Sequence, residues 1–215
     1  MAPALKVCGL TRHADARRAC LAGAAYLGVV LAPGGRRSLT PAAAAAVLDG
    51  LAARRVGVFV DATLPELRDA AALARLDVLQ LHGDEPPELL RALRAAGGWT
   101  LWKALRPRSA DEFLQAVERY AGVADALLLD GWSAQARGGV GARFPWAEVA
   151  AVRHRLPPGN GLVVAGGLTA ENVAEAIGLL APDAVDVSSG VERAPGVKDA
   201  AAIRAFAAAV RDSRR

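Results

Sequence analysis

The sequence predicts an α/β protein of one domain, residues 1–215, closed into a (β/α)8 barrel. Three observations predict it. Eight short apolar runs recur along the chain, segments of helical period separate them, and 215 residues hold eight such units with no edge strand left over. A doubly wound open sheet is the alternative closure, and the absence of a surplus strand favours the barrel.

The runs are residues 5–9, 26–31, 56–60, 78–81, 101–105, 126–130, 162–165 and 184–187. Their Val- and Leu-rich, non-alternating character suits strands buried on both faces, as a parallel sheet requires. Between the runs the period changes. Leu64, Leu67, Ala71 and Ala74 share one helical face, as do Phe113, Val117, Tyr120 and Ala121, and again Ile203, Phe206, Ala207 and Val210. Helix starts are marked as well. Thr40-Pro41 reads as a cap with proline in the first turn, Pro86-Pro87 opens a second helix, Ser109 caps a third near Asp111, and Thr169 one running through Glu171.

Composition narrows the function classes. The chain is 53% hydrophobic with a formal net charge of +4. Basic residues are scattered and bunch only at Arg211, Arg214 and Arg215, whereas a nucleic-acid footprint clusters along one face or helix. Cys8 and Cys20 make no disulfide framework, no secretory segment precedes them, and no apolar run approaches the roughly 20 residues of a membrane helix. The expectation is a soluble cytoplasmic protein with a small anionic partner, no nucleic acid and no membrane.

In such barrels the chemistry sits on the loops after the strands. The residues there are Cys8, Arg37, Asp61, His82, Arg106, Asp130, Gly166-Gly167 and the string from Asp186 to Gly190. The loops after the seventh and eighth runs, with Gly166 and Gly167 in one and Ser188, Ser189 and Gly190 in the other, are where this architecture commonly holds phosphate. Glycine lets backbone amides approach an anion there. Gly139 and Gly141, in Gly138-Gly139-Val140-Gly141 after the sixth run, add a third such loop. Any one of these loops read alone is as well explained by a tight turn.

Cys20 reads as a small buried hydrophobe, the common lot of cysteine. Cys8 differs by position, because a thiol at the barrel mouth can act as a base when its surroundings favour thiolate. Asp130 closes an apolar run, where its pKa is expected to rise so that it can donate a proton; a loop cap is the plainer alternative. Arg37 or the adjacent Arg36 could fork onto a carboxylate. His82, in His82-Gly83-Asp84-Glu85, superficially suggests a metal, but three histidines in the chain, two of them in helical segments, make a weak case. Neither a metal nor a cofactor is expected.

The strings Lys6-Val7-Cys8-Gly9-Leu10-Thr11, Val58-Phe59-Val60-Asp61, Gln80-Leu81-His82-Gly83-Asp84-Glu85, Leu128-Leu129-Asp130, Ala165-Gly166-Gly167-Leu168, Asp186-Val187-Ser188-Ser189-Gly190-Val191-Glu192 and Pro195-Gly196-Val197-Lys198-Asp199 resemble the phosphoribosylanthranilate isomerase family, in its order and over nearly the whole chain. The resemblance implies a barrel of the triosephosphate-isomerase type. It also implies a cofactor-free Amadori rearrangement of a phosphoribosyl substrate in tryptophan biosynthesis. It makes Asp130 the general acid and Cys8 the general base. It gives Arg37 to the substrate carboxylate, Asp186 to the neighbourhood of its amine, Gln80 and His82 to substrate binding, and the glycine loops to phosphate. The chain would be a monomer or a homodimer.

Two departures stand out: Val140 replaces a hydroxyl residue in the sixth loop, and the second strand lacks the phenylalanines common there. Related barrels fit less well. A histidine-pathway isomerase would carry aspartate at Cys8. Indole-glycerol-phosphate synthase would need catalytic lysines, and Lys6 is read as structural and turned away from Cys8. Ribulose-phosphate epimerase would need several histidines. A non-catalytic phosphosugar-binding barrel would have no use for both Cys8 and Asp130.

Overall fold

The computed structural model describes residues 2–131 and 144–213. Eight parallel strands close into a barrel in sequence order: β1 (Ala4–Val7), β2 (Tyr26–Val30), β3 (Arg54–Phe59), β4 (Val78–Leu81), β5 (Thr100–Leu105), β6 (Ala126–Leu129), β7 (Gly161–Val164) and β8 (Ala184–Val187). Closure is made by β1 on β8, with Ala4 opposite Ala184 and Val7 opposite Val187. Helices follow the strands in turn: α1 (His13–Leu21), α2 (Pro41–Leu48), α3 (Leu64–Ala74), α4 (Pro87–Ala96), α5 (Ala110–Tyr120), α6 (Trp146–Val152), α7 (Val173–Leu180) and α8 (Ala200–Asp212). No described helix is long and apolar enough to cross a membrane.

The absence of alternation in the strands now has its cause. Leu127 and Leu129 face the helix layer, while Ala126 and Leu128 fill the barrel itself. The inner core is built mainly of small and branched residues around one large ring, Trp102, which meets Tyr26 edge-on with centroids 4.9 Å apart. Local start signals work as the side chains dictate. Thr40 accepts from the Ala43 amide at the start of α2, and Ser109 from Glu112 at the start of α5.

One start differs from expectation. The Asn172 side chain accepts from the Thr169 amide and donates to the Gly167 carbonyl, holding residues 167–172 in a turn, so α7 begins at Val173 and Thr169 caps nothing. The sequence reading also contained no hairpin beyond the barrel. Here β9 (Glu192–Ala194) pairs antiparallel with β10 (Val197–Lys198) across Pro195-Gly196, with Gly196 at φ +79°.

Candidate active site

The barrel decides which residues meet. Successive side chains on a strand alternate between helix layer and interior. Ala4, Tyr26, Val78, Trp102, Ala126 and Ala184 belong to the interior set. Two residues further along the same strands stand Lys6, Gln80 and Asp186, and two beyond those stand Cys8, His82, Arg106, Asp130 and Ser188. The interior therefore turns polar toward the carboxyl ends of the strands. Cys8, His82 and Asp130 are each the first residue past a strand. The ladder continues through their amides, which donate to Val187, Phe59 and Leu105 carbonyls at 2.8, 2.8 and 2.9 Å.

Cys8 is buried above a buried ion pair. The Lys6 ammonium donates to Asp186 Oδ2 at 2.6 Å, and Asp186 Oδ1 is buried with no hydrogen-bond partner among the described residues. Lys6 is thus turned toward Cys8 rather than away from it, because residues i and i+2 of a strand share a face. A Cβ on Gly28 of the next strand would lie 2.8 Å from Cys8 Sγ and 3.1 Å from Lys6 Cε, so glycine there makes room for both side chains. Burial works against the Lys6 charge, but Asp186 and Cys8 outweigh it and hold the ammonium above the usual lysine value. Burial likewise pushes the Cys8 thiol up, more strongly than the Lys6 charge pulls it down.

Asp130 is joined to the fourth strand. His82 Nε2 lies 3.1 Å from Asp130 Oδ2, and Gln80 Nε2 lies 2.8 Å from His82 Nδ1. The expectation of a raised Asp130 pKa is corrected here. Burial does push it up, but the His82 hydrogen bond and the charges of His82 and Arg106 prevail, and the carboxyl lies below its ordinary value.

Arg37 crosses over Gly9 toward the thiol; a Cβ on Gly9 would meet Arg37 Cδ at 2.6 Å and Ser188 Oγ at 2.9 Å. Its Nε and Nη2 donate to Glu192 at 2.8 and 2.6 Å, and Lys198 Nζ donates to the same carboxylate at 2.8 Å. Arg36 is exposed. The Glu192 bond raises the Arg37 pKa. Burial would raise that of Glu192, but Arg37 and Lys198 bring it below the usual glutamate value.

The seventh and eighth loops touch. A Cβ on Gly190 would collide with the Leu168 carbonyl oxygen, and one on Gly166 with the Gly131 amide beside Asp130. Gly167 lies in the first of these loops, and Ser188 and Ser189 enter the short 3-10 turn Ser189–Val191 in the second. Gly139 and Gly141 fall outside the described residues.

Several side chains of this region had no sequence-based role. Glu192 and Lys198 are among them, and so are Glu85 and Lys103, while Lys6 was given only a structural one. Lys103 is buried and donates to Glu85 Oε2 at 2.9 Å and to the carbonyls of Leu81, Gly83 and Ala104. A lysine inside an apolar run, and the two-residue spacing of Lys6 from Cys8, were the available signals.

Comparison with known proteins follows the same outline. The family profile described as N-(5'phosphoribosyl)anthranilate (PRA) isomerase matches residues 5–209. The chain is 45% identical over 195 residues to N-(5'-phosphoribosyl)anthranilate isomerase of Solibacter usitatus, covering 91% of this chain and 90% of that one. Among solved structures it is similar to monomers generated from the dimeric phosphoribosylanthranilate isomerase of Thermotoga maritima, with TM-score 0.85, 34% identity, and 97% of this chain and 98% of that chain covered. It is also similar to a phosphoribosylanthranilate isomerase in complex with reduced 1-(O-carboxyphenylamino)-1-deoxyribulose 5-phosphate, at TM-score 0.85, 33% identity and the same coverage.

Proposed function

The chain belongs to the N-(5'-phosphoribosyl)anthranilate isomerase family, and on that premise we propose that Asp130 and Cys8 are the acid and base of its rearrangement. It isomerises N-(5'-phosphoribosyl)anthranilate in tryptophan biosynthesis. The observation that carries the assignment is the shared position of the two residues: each stands one residue past its strand, on the interior face, at the same end of one parallel barrel.

Asp130 gives a proton to the ribose ring oxygen. The C1–O bond breaks with its electron pair on that oxygen, and the lone pair of the amine forms the C=N bond. The iminium so formed brings positive charge to a thiol that burial has kept protonated, and with the Lys6 ammonium it favours thiolate. Cys8 then takes the proton from C2, the electrons neutralise the nitrogen, and the enolamine ketonises. Arg37, held through Nε and Nη2 by Glu192, keeps Nη1 for the anthranilate carboxylate. Asp186 lies toward the amine, and Gln80 and His82 beside Asp130. Gly166, Gly167, Ser188, Ser189 and Gly190, with Gly139 and Gly141, cradle the phosphate. We take residues 1–215 as one barrel unit of a cytoplasmic enzyme, a monomer or homodimer, with no nucleic-acid partner.

The test is turnover of phosphoribosylanthranilate by the purified protein, followed by fluorescence. Asp130→Asn is expected to lower kcat by about 10²–10⁴-fold, the usual contribution of one positioned acid, with unchanged circular dichroism. Near-wild-type turnover in that variant removes Asp130 from the acid role.

A further inference from the structure

An acid must hold a proton before it can give one, yet the neighbours of Asp130 keep its carboxyl below the ordinary value. The chain of contacts behind Asp130 offers a resolution. Gln80 is buried, and its Nε2, a donor only, lies 2.8 Å from His82 Nδ1. In this orientation of the amide Nδ1 accepts, and the ring hydrogen then belongs on Nε2, facing Asp130 Oδ2 at 3.1 Å. That is the bonding pattern of an ionised Asp130. Gln80 Oε1 meanwhile is buried with no partner among the described residues, an arrangement folded proteins rarely keep.

One added proton changes the pattern at both ends. Either the ring holds it, with both nitrogens protonated, or it rests on Asp130, whose Oδ2–H donates to a bare Nε2. In both distributions Nδ1 carries a hydrogen and would face the Gln80 amine, donor against donor. A half-turn of the amide brings Oε1 to Nδ1 and gives the orphaned oxygen its bond.

We propose that Gln80, acting through His82, is a positioning residue that sets the proton content of the His82–Asp130 pair: with the amide nitrogen toward the ring Asp130 is ionised and the ring neutral, and with the oxygen toward it the pair holds the extra proton that Asp130 delivers. The inference rests on Asp130 being the acid. The proton enters from solvent, which His82 and Asp130 both reach, and leaves on the ribose ring oxygen. The reaction as a whole neither consumes nor releases one.

The other charged groups facing the relay are held in contacts of their own. Arg106 Nη2 lies 3.4 Å from the His82 carbonyl oxygen, and arginine stays cationic. Lys103, which holds the carbonyls on either side of His82, is paired with Glu85. The amide is left as the variable group.

The experiment is the pH dependence of kcat/KM, whose alkaline limb reports loss of the acid's proton. Gln80→Glu, an obligate acceptor toward Nδ1, is expected to move that limb to higher pH by about one unit. Gln80→Met, which offers neither bond, is expected to move it lower by a similar amount and to cut kcat at neutral pH about tenfold. Limbs that superimpose on the wild type, or variants that raise KM with kcat unchanged, overturn the proposal. Nitrogen-15 NMR of the wild-type histidines, with His82→Asn for assignment, serves where a variant fails to fold. The hydrogen of His82 should pass from Nε2 at alkaline pH to Nδ1 as pH falls, and an Nε2–H ring throughout overturns the proposal. Should Asp130→Asn retain turnover, the acid assignment itself fails, a result separable from a superimposed Gln80 profile beside an inactive Asp130→Asn.

Discussion

At the residue scale the thiol makes the sharpest claim. Cys8→Ser exchanges sulfur for an oxygen far harder to ionise, so kcat is expected to fall by at least about 10²-fold while KM moves little. Steady-state kinetics decide it, and unchanged kcat returns Cys8 to a packing role. Arg37→Lys replaces a fork clamped by Glu192 with a point charge, and KM is expected to rise about tenfold, one charged hydrogen bond's worth. Arg36→Lys, on the exposed neighbour, should leave KM in place; the reverse result would hand the carboxylate to Arg36. The sequence left these two arginines undecided because a loop's path over the barrel mouth is not written in local spacing. Cys8, Asp130 and His82 were legible because strand ends in a barrel share one rim. Lys6 was misread only through a miscounted alternation.

At the element scale the eight runs agree with the strands to within two residues, since a strand buried on both faces is continuously apolar and its limits are where polar residues begin. The hairpin of β9 and β10 escaped because three and two residues carry no period; Pro195-Gly196 announced only a turn. Thr169 failed as a cap because the Asn172 side chain bridges the Thr169 amide and the Gly167 carbonyl, so a turn runs to residue 172 and α7 starts only at Val173. The lysine in β5 shows how strands are tied at the working end. Lys103→Met leaves the buried Glu85 carboxylate without its counter-charge, held only by the Asp61 and Gly83 amides, and is expected to lower unfolding stability by about 3–5 kcal/mol. Urea denaturation would register this as a lower midpoint at constant slope, and Lys103→Met with Glu85→Gln should recover part of the loss.

Across the whole molecule, pH acts through carboxylates whose folded pKa values are depressed. Burial opposes the Glu192 charge, but Arg37 and Lys198 together bring its pKa below 4.5, the ordinary glutamate value. Its stabilisation is complete above 4.5 and disappears as pH falls through the lower folded value, because the unfolded chain binds the proton more readily. Thermal scans between about pH 3 and 6 should give a Tm that declines toward acid. Glu192→Gln should flatten that decline below 4.5, and a variant with the wild-type slope would take Glu192 out of the acid response.

The seam between β1 and β8 binds residues about 180 positions apart, with Lys6 reaching Asp186, and beside it the Lys198 amide of β10 reaches Asp15 of α1. During synthesis, then, the segment bearing the thiol waits until its partner 180 positions later has been made. Until the last strand emerges, the nascent chain has two open sheet margins, one on each side of the gap, either able to accept a stray strand from another molecule. Cys8 acquires its charged floor only when that gap is filled, so a chain cut before the eighth strand would lack the Lys6–Asp186 pair and be adhesive at once.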